Sequence, residues 1–370
     1  MARGRRDGIL IAGGGLAGSL AALAMARFRP EVPLLIVEER ETFGGDSYRA
    51  FSEAEFGQDG AELVGPLAID RWPGFYVAFQ GFSRKLRSET AGFGAQDIHR
   101  AMTLALDPKS YRLGTKVVAV REDALVLDGG ETIKAEGAID ARGPTSMSSL
   151  ELLYEARLER DYRFGAPHRV DRPVLIDATV DQGGGLRFFE CLPLSEERLL
   201  ITDVTVSERA QPDEEAGARI DAYVKARGWT RPRATAERSA SRPLPMGGDF
   251  AAFWRLGGAR VAKLGLRGGF VHPLTGRTIG DAAEMALLLA SQRDLSGNAL
   301  HDLFEAEAKQ LWKKREILRT ITASLAAAGP EERLAMVERL YRLDSGAIQR
   351  LQADRLGMLD RWRIRKALRG

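Results

Sequence analysis

The first forty residues alternate short apolar runs with a glycine-rich turn. Ile9–Ala12 is an apolar run, residues 13–18 follow with the pattern G-x-G-x-x-G, and Leu34–Val37 is a second apolar run that ends in Glu38. Short apolar runs of this kind are typical of buried strands, and the segment between them is typical of a helix that begins at the glycines. The pattern therefore predicts a strand, a glycine turn, a helix and a second strand that ends in a carboxylate.

Each part of this turn suits the binding of a dinucleotide. Gly13 permits a tight turn, Gly15 lets a pyrophosphate approach the backbone, and Gly18 lets the helix pack closely on the sheet. The helix N-terminus offers free N–H groups to the phosphates. Glu38 follows about twenty residues after the glycines and can accept hydrogen bonds from a ribose. The predicted binding residues of this unit are Gly13, Gly15, Leu16, Ala17, Gly18 and Glu38.

Later segments favour FAD over NAD as the dinucleotide. Gly44 and Gly45 follow the second strand, where flavoproteins often have such a pair near the adenosine half of FAD. The segment 136–143 reads as a short strand that ends in a small-residue turn at Gly143, as in other two-domain flavoproteins. The loop 265–276 is expected to enclose the same ligand. These segments add Gly45, Gly143, Gly265, Pro273, Thr275 and Gly276 to the predicted cofactor site.

The whole chain is predicted to be a discontinuous α/β protein. A Rossmann-like FAD-binding domain comprises residues 1–45, 94–150 and 255–300. An inserted substrate domain with an antiparallel sheet comprises 46–93 and 151–254, and 301–370 forms a helical C-terminal region. Strands are predicted at 71–79, 174–178, 186–192 and 198–203, a turn at 181–185, and helices at 94–107 and 278–292.

Composition narrows the class of protein. The chain has 370 residues, 44% hydrophobic and 28% charged, which is enough to bury a full core. Its net charge of +3 comes without a dense basic, aromatic-rich patch, which argues against nucleic acid as a partner. The single cysteine, Cys191, fits a reducing cytoplasm, and the four histidines lack metal-ligand spacing. We therefore expect a cytoplasmic protein without a metal site and without a membrane span.

Two segments of the chain carry a family resemblance. The first is 167–182, which contains Asp177-Ala178-Thr179-Val180 and is followed by Leu-Pro-Leu-Ser at 192–195. The second is 265–276, which ends in His-Pro-Leu-Thr-Gly. Both resemble the bacterial lycopene cyclases, which are FAD-dependent carotenoid cyclases and have a run similar to the second segment followed by tyrosine. Weaker similarity continues through 338–343 and from 355 to the C-terminus, so the resemblance covers nearly the whole chain.

The resemblance implies a flavin enzyme that performs no net redox chemistry. Such cyclases hold reduced FAD, use NAD(P)H as the electron source, and convert the linear ends of a lycopene-like carotenoid into β-ionone rings. An acid must protonate a terminal double bond, and the carbocation must be stabilised and kept dry until it loses a proton. On this view Phe188, Phe189 and Trp254 are candidate walls of the substrate cavity.

The chain departs from the family where the acid is expected. After Leu-Pro-Leu-Ser the family has two acids followed by threonine, but here Thr202 takes the place of the first acid and Asp203 matches the second. A threonine hydroxyl has no proton to give at an accessible pKa. Asp203 is therefore the candidate donor, provided that a bulge or the strand's end turns it toward the cavity, since neighbouring residues of a strand face opposite ways. Glu190 is the reserve, and either carboxyl would need a raised pKa.

Other departures leave two alternative functions open. The family's tyrosine after the His-Pro-x-Thr-Gly run is Arg277, and its His-Thr-Trp run is Ser47-Tyr48-Arg49. One alternative is a redox flavoenzyme, such as a monooxygenase or saturase acting on a polyene or other lipophilic substrate. The other is a non-catalytic carotenoid-binding homologue that has lost its acid. Net consumption of NAD(P)H would identify the first, and an unchanged polyene would identify the second.

The composition of the last ten residues suggests that the protein contacts a membrane surface, where an insoluble substrate would be found. Residues 361–370 contain no acid and mix basic with apolar side chains. Such a segment suits a surface of anionic head groups, so the sequence predicts peripheral association with a membrane surface.

Overall fold

The computed structural model describes residues 7–183, 185–258 and 260–369, the side chain of Arg369 excepted. The strands are β1 (Ile9–Ala12), β2 (Leu34–Val37), β3 (Arg49–Ser52), β4 (Asp70–Trp72), β5 (Phe75–Phe79), β6 (Phe82–Leu86), β7 (Thr90–Phe93), β8 (Tyr111–Arg112), β9 (Val117–Arg121), β10 (Ala124–Leu127), β11 (Thr132–Lys134), β12 (Gly137–Asp140), β13 (Leu150–Arg163), β14 (Val174–Asp177), β15 (Leu186–Ser195), β16 (Arg198–Ser207), β17 (Arg233–Gly248) and β18 (Ala262–Lys263). The α-helices are α1 (Leu16–Phe28), α2 (Gln58–Val64), α3 (Ala95–Ala105), α4 (Ala216–Ala226), α5 (Phe250–Arg255), α6 (Ile279–Ala290), α7 (Gly297–Lys314), α8 (Glu316–Ala327), α9 (Pro330–Tyr341), α10 (Ser345–Gln352) and α11 (Met358–Arg369).

A parallel sheet with the order β18-β12-β1-β2-β8 forms the first layer of the molecule. β1 is buried on both faces: Ile9 and Ile11 pack in the core that includes α1 and α6, while Leu10 and Ala12 pack against the small sheet β9–β11. Strands buried on both faces are near-continuous apolar runs, which is why β1 and β2 could be recognised. The α/β fold class and the strand–turn–helix–strand unit are as predicted.

A seven-stranded sheet with the order β17-β13-β16-β15-β14-β5-β6 forms the second layer, and its pairs are antiparallel except β14 with β5. Alternate residues face opposite ways. On one face Ile201 and Phe189 pack in the core that contains α4, and on the other Leu200 and Val204 pack with residues of α8, α9 and α10. A helical C-terminal region therefore covers one face of this sheet, as the sequence predicted.

The sequence prediction differs from the structure at several strands. The predicted strand 71–79 is two strands, β4 and β5, because Gly74 between them has a φ of 145°, which breaks the extended run. The strands predicted at 186–192 and 198–203 are longer in the structure, and the long strands β13 and β17 were not predicted individually. Gly184, within the predicted turn 181–185, lies outside the described residues. The division into domains stays a prediction, although the parallel sheet draws strands from three separated stretches of chain.

A buried arginine joins the C-terminal helices to the parallel-sheet layer. The guanidinium of Arg315 donates to both oxygens of Asp281 on α6, at 2.8 and 2.6 Å, and its Nε donates to Asp354 at 2.9 Å. Together these contacts fix α8 against the helix that follows the loop 265–276.

Within the described residues, no helix is both long enough and apolar enough to cross a membrane.

Candidate functional site

A cleft opens at the carboxyl ends of β1 and β2, where the glycine turn lies. Gly13 has a φ of 97°, and a Cβ there would lie 2.6 Å from the carbonyl oxygen of Ala141, so the turn requires glycine. Gly15 differs: its φ is −66°, and a Cβ there would have no atom within 4 Å. The side chain that Gly15 lacks would therefore project into the cleft.

The cleft encloses about 1560 Å³, open solvent at its mouth included. The N-terminus of α1 faces it without a side-chain cap, so its N–H groups are available to an anion. Of the predicted cofactor residues, those that line the cleft are Gly13, Gly15, Leu16, Ala17, Glu38, Gly45, Gly143 and Gly265. Gly18 serves packing instead, since a Cβ there would lie 1.9 Å from the carbonyl oxygen of Gly13.

The carboxylate of Glu38 fixes the shape of the turn. It accepts hydrogen bonds from the N–H of Gly14 at 2.5 Å and from the N–H of Arg40 at 3.0 Å, and the residue is 8% exposed. The carboxylate therefore already bonds the backbone at the rim of the cleft, on the strand end where a ribose is expected.

The other three predicted cofactor residues lie elsewhere. Thr275 lines a separate apolar cavity, the carbonyl oxygen of Pro273 accepts from Thr322 on α8, and a Cβ at Gly276 would lie 2.6 Å from the Cβ of Arg242. The structure thus does not bring Pro273, Thr275 or Gly276 into the lining of the cleft. Thr278 lines it instead.

His272 holds this turn in place. Its Nδ1 accepts from the N–H groups of Leu274 and Thr275, both at 3.3 Å, and its Nε2 lies 3.0 Å from the carbonyl oxygen of Leu351 on α10. Burial, helped by the nearby charge of Arg315, lowers the pKa of His272 to about 4. A neutral imidazole that accepts at Nδ1 and donates at Nε2 explains all three contacts.

An apolar cavity lies between the seven-stranded sheet and the C-terminal helices, and it encloses about 700 Å³, open solvent included. Its apolar lining comes from β14–β17, the turn at 274, and α8, α9 and α10: Ile176, Leu186, Phe188, Val206, Leu244, Leu274, Leu325, Val337, Leu340, Ile348 and Leu351. Four further lining residues are polar: Glu155, Thr275, Tyr341 and Gln352.

Of the three aromatic residues predicted to form walls of the substrate cavity, one, Phe188, lines this cavity. Phe189 faces the opposite side of the sheet, where it stacks on Tyr223 of α4 with ring centroids 4.2 Å apart. Trp254 is fully buried and packs against Phe250 and Phe270 in the parallel-sheet core.

A layer of charged side chains separates the cleft from the cavity. Along β17, Ala240 lines the cleft, Arg242 follows two residues later, and Leu244 lines the cavity. On the adjacent strand β13, Arg157 pairs with Ala240 and Glu155 pairs with Arg242. Arg242 is two residues, or about 7 Å along the strand, from both Ala240 and Leu244, so the charged layer is one side chain thick.

Arg157 is the centre of the layer. Its guanidinium donates to Glu190 at 2.7 Å and to Glu155 at 3.2 Å, and its Nε lies 3.7 Å from an oxygen of Glu159. Thr202 pairs directly with Glu159 on one side and with Glu190 on the other. Thr202 is therefore flanked by a glutamate on each neighbouring strand.

Glu190 faces this layer but is poorly suited to donate a proton. Burial favours its neutral form, but the charges of Arg157, Arg242 and Arg277 outweigh burial and lower its pKa. A donor role for Glu190 would require a raised pKa, and the charges of these three arginines lower it instead.

Asp203 faces away from the layer and from the cavity. Its Oδ2 accepts from Nη2 and Nε of Arg219 on α4, at 2.5 and 2.9 Å. The pairing of β15 with β16 is regular from Leu186 to Pro193, so no bulge turns Asp203 around. Burial raises the pKa of Asp203 despite the charge of Arg219, but the carboxyl lies on the wrong side of the sheet. The structure does not support Asp203 as the donor.

The sequence analysis missed the residues of β13. Glu155, Arg157 and Glu159 occupy alternate positions of one strand, and that spacing puts three charges on one face. The alternation was a usable signal. What it could not reveal is that this face is buried between a cleft and a cavity.

Sequence comparison matches the chain to one protein family. A family model described as lycopene cyclase protein matches residues 8–368. A lycopene beta-cyclase of Pantoea ananas is 30% identical over 358 residues, which is 96% of this chain and 93% of that protein. A lycopene beta-cyclase of Pseudescherichia vulneris is 31% identical over 361 residues, covering 97% of this chain and 93% of that protein.

Comparison with solved structures shows the fold. A geranylgeranyl bacteriochlorophyll reductase-like protein from Thermoplasma acidophilum superposes with a TM-score of 0.68 at 12% identity, covering 98% of this chain and 96% of that one. A flavin-dependent halogenase from Xanthomonas campestris gives 0.60 at 15% identity, covering 99% and 95%. The fold is that of flavin-dependent oxidoreductases and halogenases.

Proposed function

Because the chain belongs to the lycopene cyclase family, we propose that it converts the linear ends of a carotenoid into β-ionone rings by a non-redox, acid-initiated cyclisation with reduced FAD bound. The observation that supports the proposal most directly is that the cleft and the apolar cavity lie next to each other. A cleft suited to a dinucleotide and an apolar cavity lie on either side of one layer of side chains, in a chain whose relatives are lycopene beta-cyclases.

The residues of the cleft fit FAD. The open space at Gly15 and the uncapped N-terminus of α1 suit a pyrophosphate, and Glu38 ends the second strand where a ribose is expected. When bound, reduced FAD would supply negative charge beside a carbocation. We further propose NAD(P)H as the source of its electrons.

The chain's own residues perform the remaining tasks. The aliphatic lining of the cavity and Phe188 bind a polyene end and exclude the water that would quench a cation. Glu190, held ionised by Arg157, places a fixed negative charge in the layer between the two spaces. The proton that starts the cyclisation must come from a carboxyl group that faces the cavity.

Expression in a lycopene-accumulating bacterium, with chromatography of the pigments, tests the proposal. We expect the linear pigment to be replaced by products with one or two β-rings, whereas cells carrying the empty vector keep the linear pigment. Linear pigment left unchanged by a flavin-loaded protein would contradict cyclisation and would favour a carotenoid-binding homologue.

We also propose that α11 lies on a membrane surface, because the substrate class is insoluble in water. Met358, Leu359 and Trp362 are 88%, 73% and 61% exposed on this helix, beside the exposed basic residues Arg365 and Lys366. An exposed apolar strip next to basic side chains suits the interface of an anionic bilayer.

Sedimentation with anionic liposomes tests this placement. We expect Trp362→Ser to reduce the bound fraction. Leu104→Ser removes an equally exposed apolar side chain from α3 (Leu104 is 81% exposed) and is expected to leave binding unchanged. Equal loss from both variants, or from neither, would contradict a role for α11.

A further inference from the structure

The cavity has one acidic side chain in its described lining, Glu155. The residue is 8% exposed and lies on β13 opposite Val206 of β16 and Arg242 of β17. Leu186, Phe188 and Val206 line the same cavity. Glu155 therefore lies at the boundary between the charged layer and the apolar space.

The carboxylates around Arg157 are bound unequally. Glu190 takes the shortest contact, at 2.7 Å, whereas Glu155 is held at 3.2 Å by Arg157 and at 3.5 Å by Arg242, both through Oε2. Glu159 is 2% exposed and lies four residues along β13, outside the cavity lining. Glu155 thus combines the looser pairing with direct access to the cavity.

We propose that Glu155 is the catalytic residue that exchanges the proton of ring formation with the carotenoid end, in place of the acid that Thr202 does not supply. The inference rests on the proposed cyclisation. A carboxyl group that lines the cavity can pass its proton to a bound polyene end without crossing solvent.

The step balances without a further reactant. The carboxyl group of Glu155 gives its proton to the terminal double bond, the ring closes by forming one carbon–carbon bond, and the cation loses a proton from an adjacent carbon to the carboxylate. Protons and electrons are unchanged overall.

Besides Arg157 and Arg242, the charged or titratable groups near the carboxyl of Glu155 are Glu190, Arg277 and Tyr341.

The test compares full-length variants in a purified assay with reduced flavin and lycopene. Glu155→Gln keeps the size and hydrogen bonding of the side chain but cannot donate a proton. We expect its rate of ring formation to fall at least about 100-fold, the usual contribution of a general acid, with flavin and lycopene still bound. Glu151→Gln changes an exposed glutamate of the same strand and is expected to match the wild type.

A shorter acid and a solvent isotope separate catalysis from structure. Glu155→Asp keeps the charge but withdraws it by one methylene, and we expect a loss of roughly 10- to 100-fold, since small misplacements of a reacting group are costly. In deuterated water each ring formed by the wild type should gain a solvent deuteron, provided that the carboxyl group exchanges with solvent between turnovers. The rate of Glu155→Asp can be measured even if Glu155→Gln does not fold.

The outcomes distinguish this inference from the proposed function. Ring formation by the wild type and by Glu155→Gln at similar rates would overturn the role of Glu155 and leave the cyclase intact, as would full activity of Glu155→Asp should Glu155→Gln be unfolded. No ring formation by a wild type that holds both flavin and lycopene would overturn the cyclase and this inference together.

Discussion

The cofactor site makes a prediction that separates binding from folding. Gly15 is the N-cap of α1 with φ −66° and ψ −167°, a conformation that valine adopts readily, and a Cβ there has no atom within 4 Å. Gly15→Val should therefore fold, yet three added carbon atoms would occupy the space that we assign to the pyrophosphate. At Gly18, by contrast, even a Cβ would lie 1.9 Å from a carbonyl oxygen, so that glycine cannot provide the same test.

The magnitude follows from crowding a close contact. Forcing extra carbon atoms into a packed site costs about 1–3 kcal/mol, which corresponds to roughly 5- to 150-fold weaker binding of FAD. The loss of a glycine N-cap costs some stability of α1 as well. Gly329→Val is a matched control, because Gly329 is also an N-cap, with φ −68° and ψ 167° and open space at its Cβ, but it lies on α9, outside the cleft.

The assay is the ratio of flavin to protein in purified samples, followed by titration of the flavin-free proteins with FAD. We expect the parent and Gly329→Val to bind FAD alike and Gly15→Val to bind it more weakly. Unchanged FAD affinity in Gly15→Val would refute the placement of the pyrophosphate. Equal weakening in both variants would assign the loss to helix capping rather than to the cleft.

Three other changes probe the charged layer and its surroundings. Thr202→Glu should preserve or increase ring formation in lycopene-accumulating cells, because the glutamates on both neighbouring strands disfavour ionisation of the new carboxyl; a folded variant without ring products would contradict this. Asp203→Asn should leave ring formation unchanged, because Asp203 contacts Arg219 of α4 on the face of the sheet away from the cavity; a folded variant that forms no rings would contradict this. The folded-state pKa of Glu190 lies below its ordinary value of 4.5. The ionised carboxylate therefore stabilises the fold above pH 4.5, and this contribution is lost as the pH falls through the folded-state pKa. Glu190→Gln should be less stable than the parent at pH 7, and the difference in stability should narrow in acid denaturation experiments below pH 4.5.

The cofactor half of the site could be predicted because its signals are local. The turn at Gly13, the helix that follows and the carboxylate at Glu38 are set by one continuous stretch of sequence, from the start of β1 to the residue after β2. Their geometry depends on glycine backbone freedom and on the parallel pairing of two adjacent strands. Gly265 joined the same cleft from a distant part of the chain, because it too ends a short parallel strand.

The substrate half could not be predicted to the same depth. The sequence showed that Thr202 and Asp203 face opposite ways, but which face meets the cavity depends on where α4 and the C-terminal helices pack. Glu155 pairs with Arg242 across 87 residues of sequence, so no local pattern places the two together. For the same reason the sequence could not show that Phe188 lines the cavity and that Phe189 faces the opposite side of the sheet.

The stoichiometry of reductant tests the central claim most directly. The purified protein is loaded with FAD, reduced once in the absence of oxygen and NAD(P)H, and incubated with excess lycopene. The account predicts many β-rings formed for each reduced flavin, with the flavin still reduced at the end. Product limited to one molecule for each reduced flavin, with the flavin oxidised, would show a redox enzyme and contradict the account.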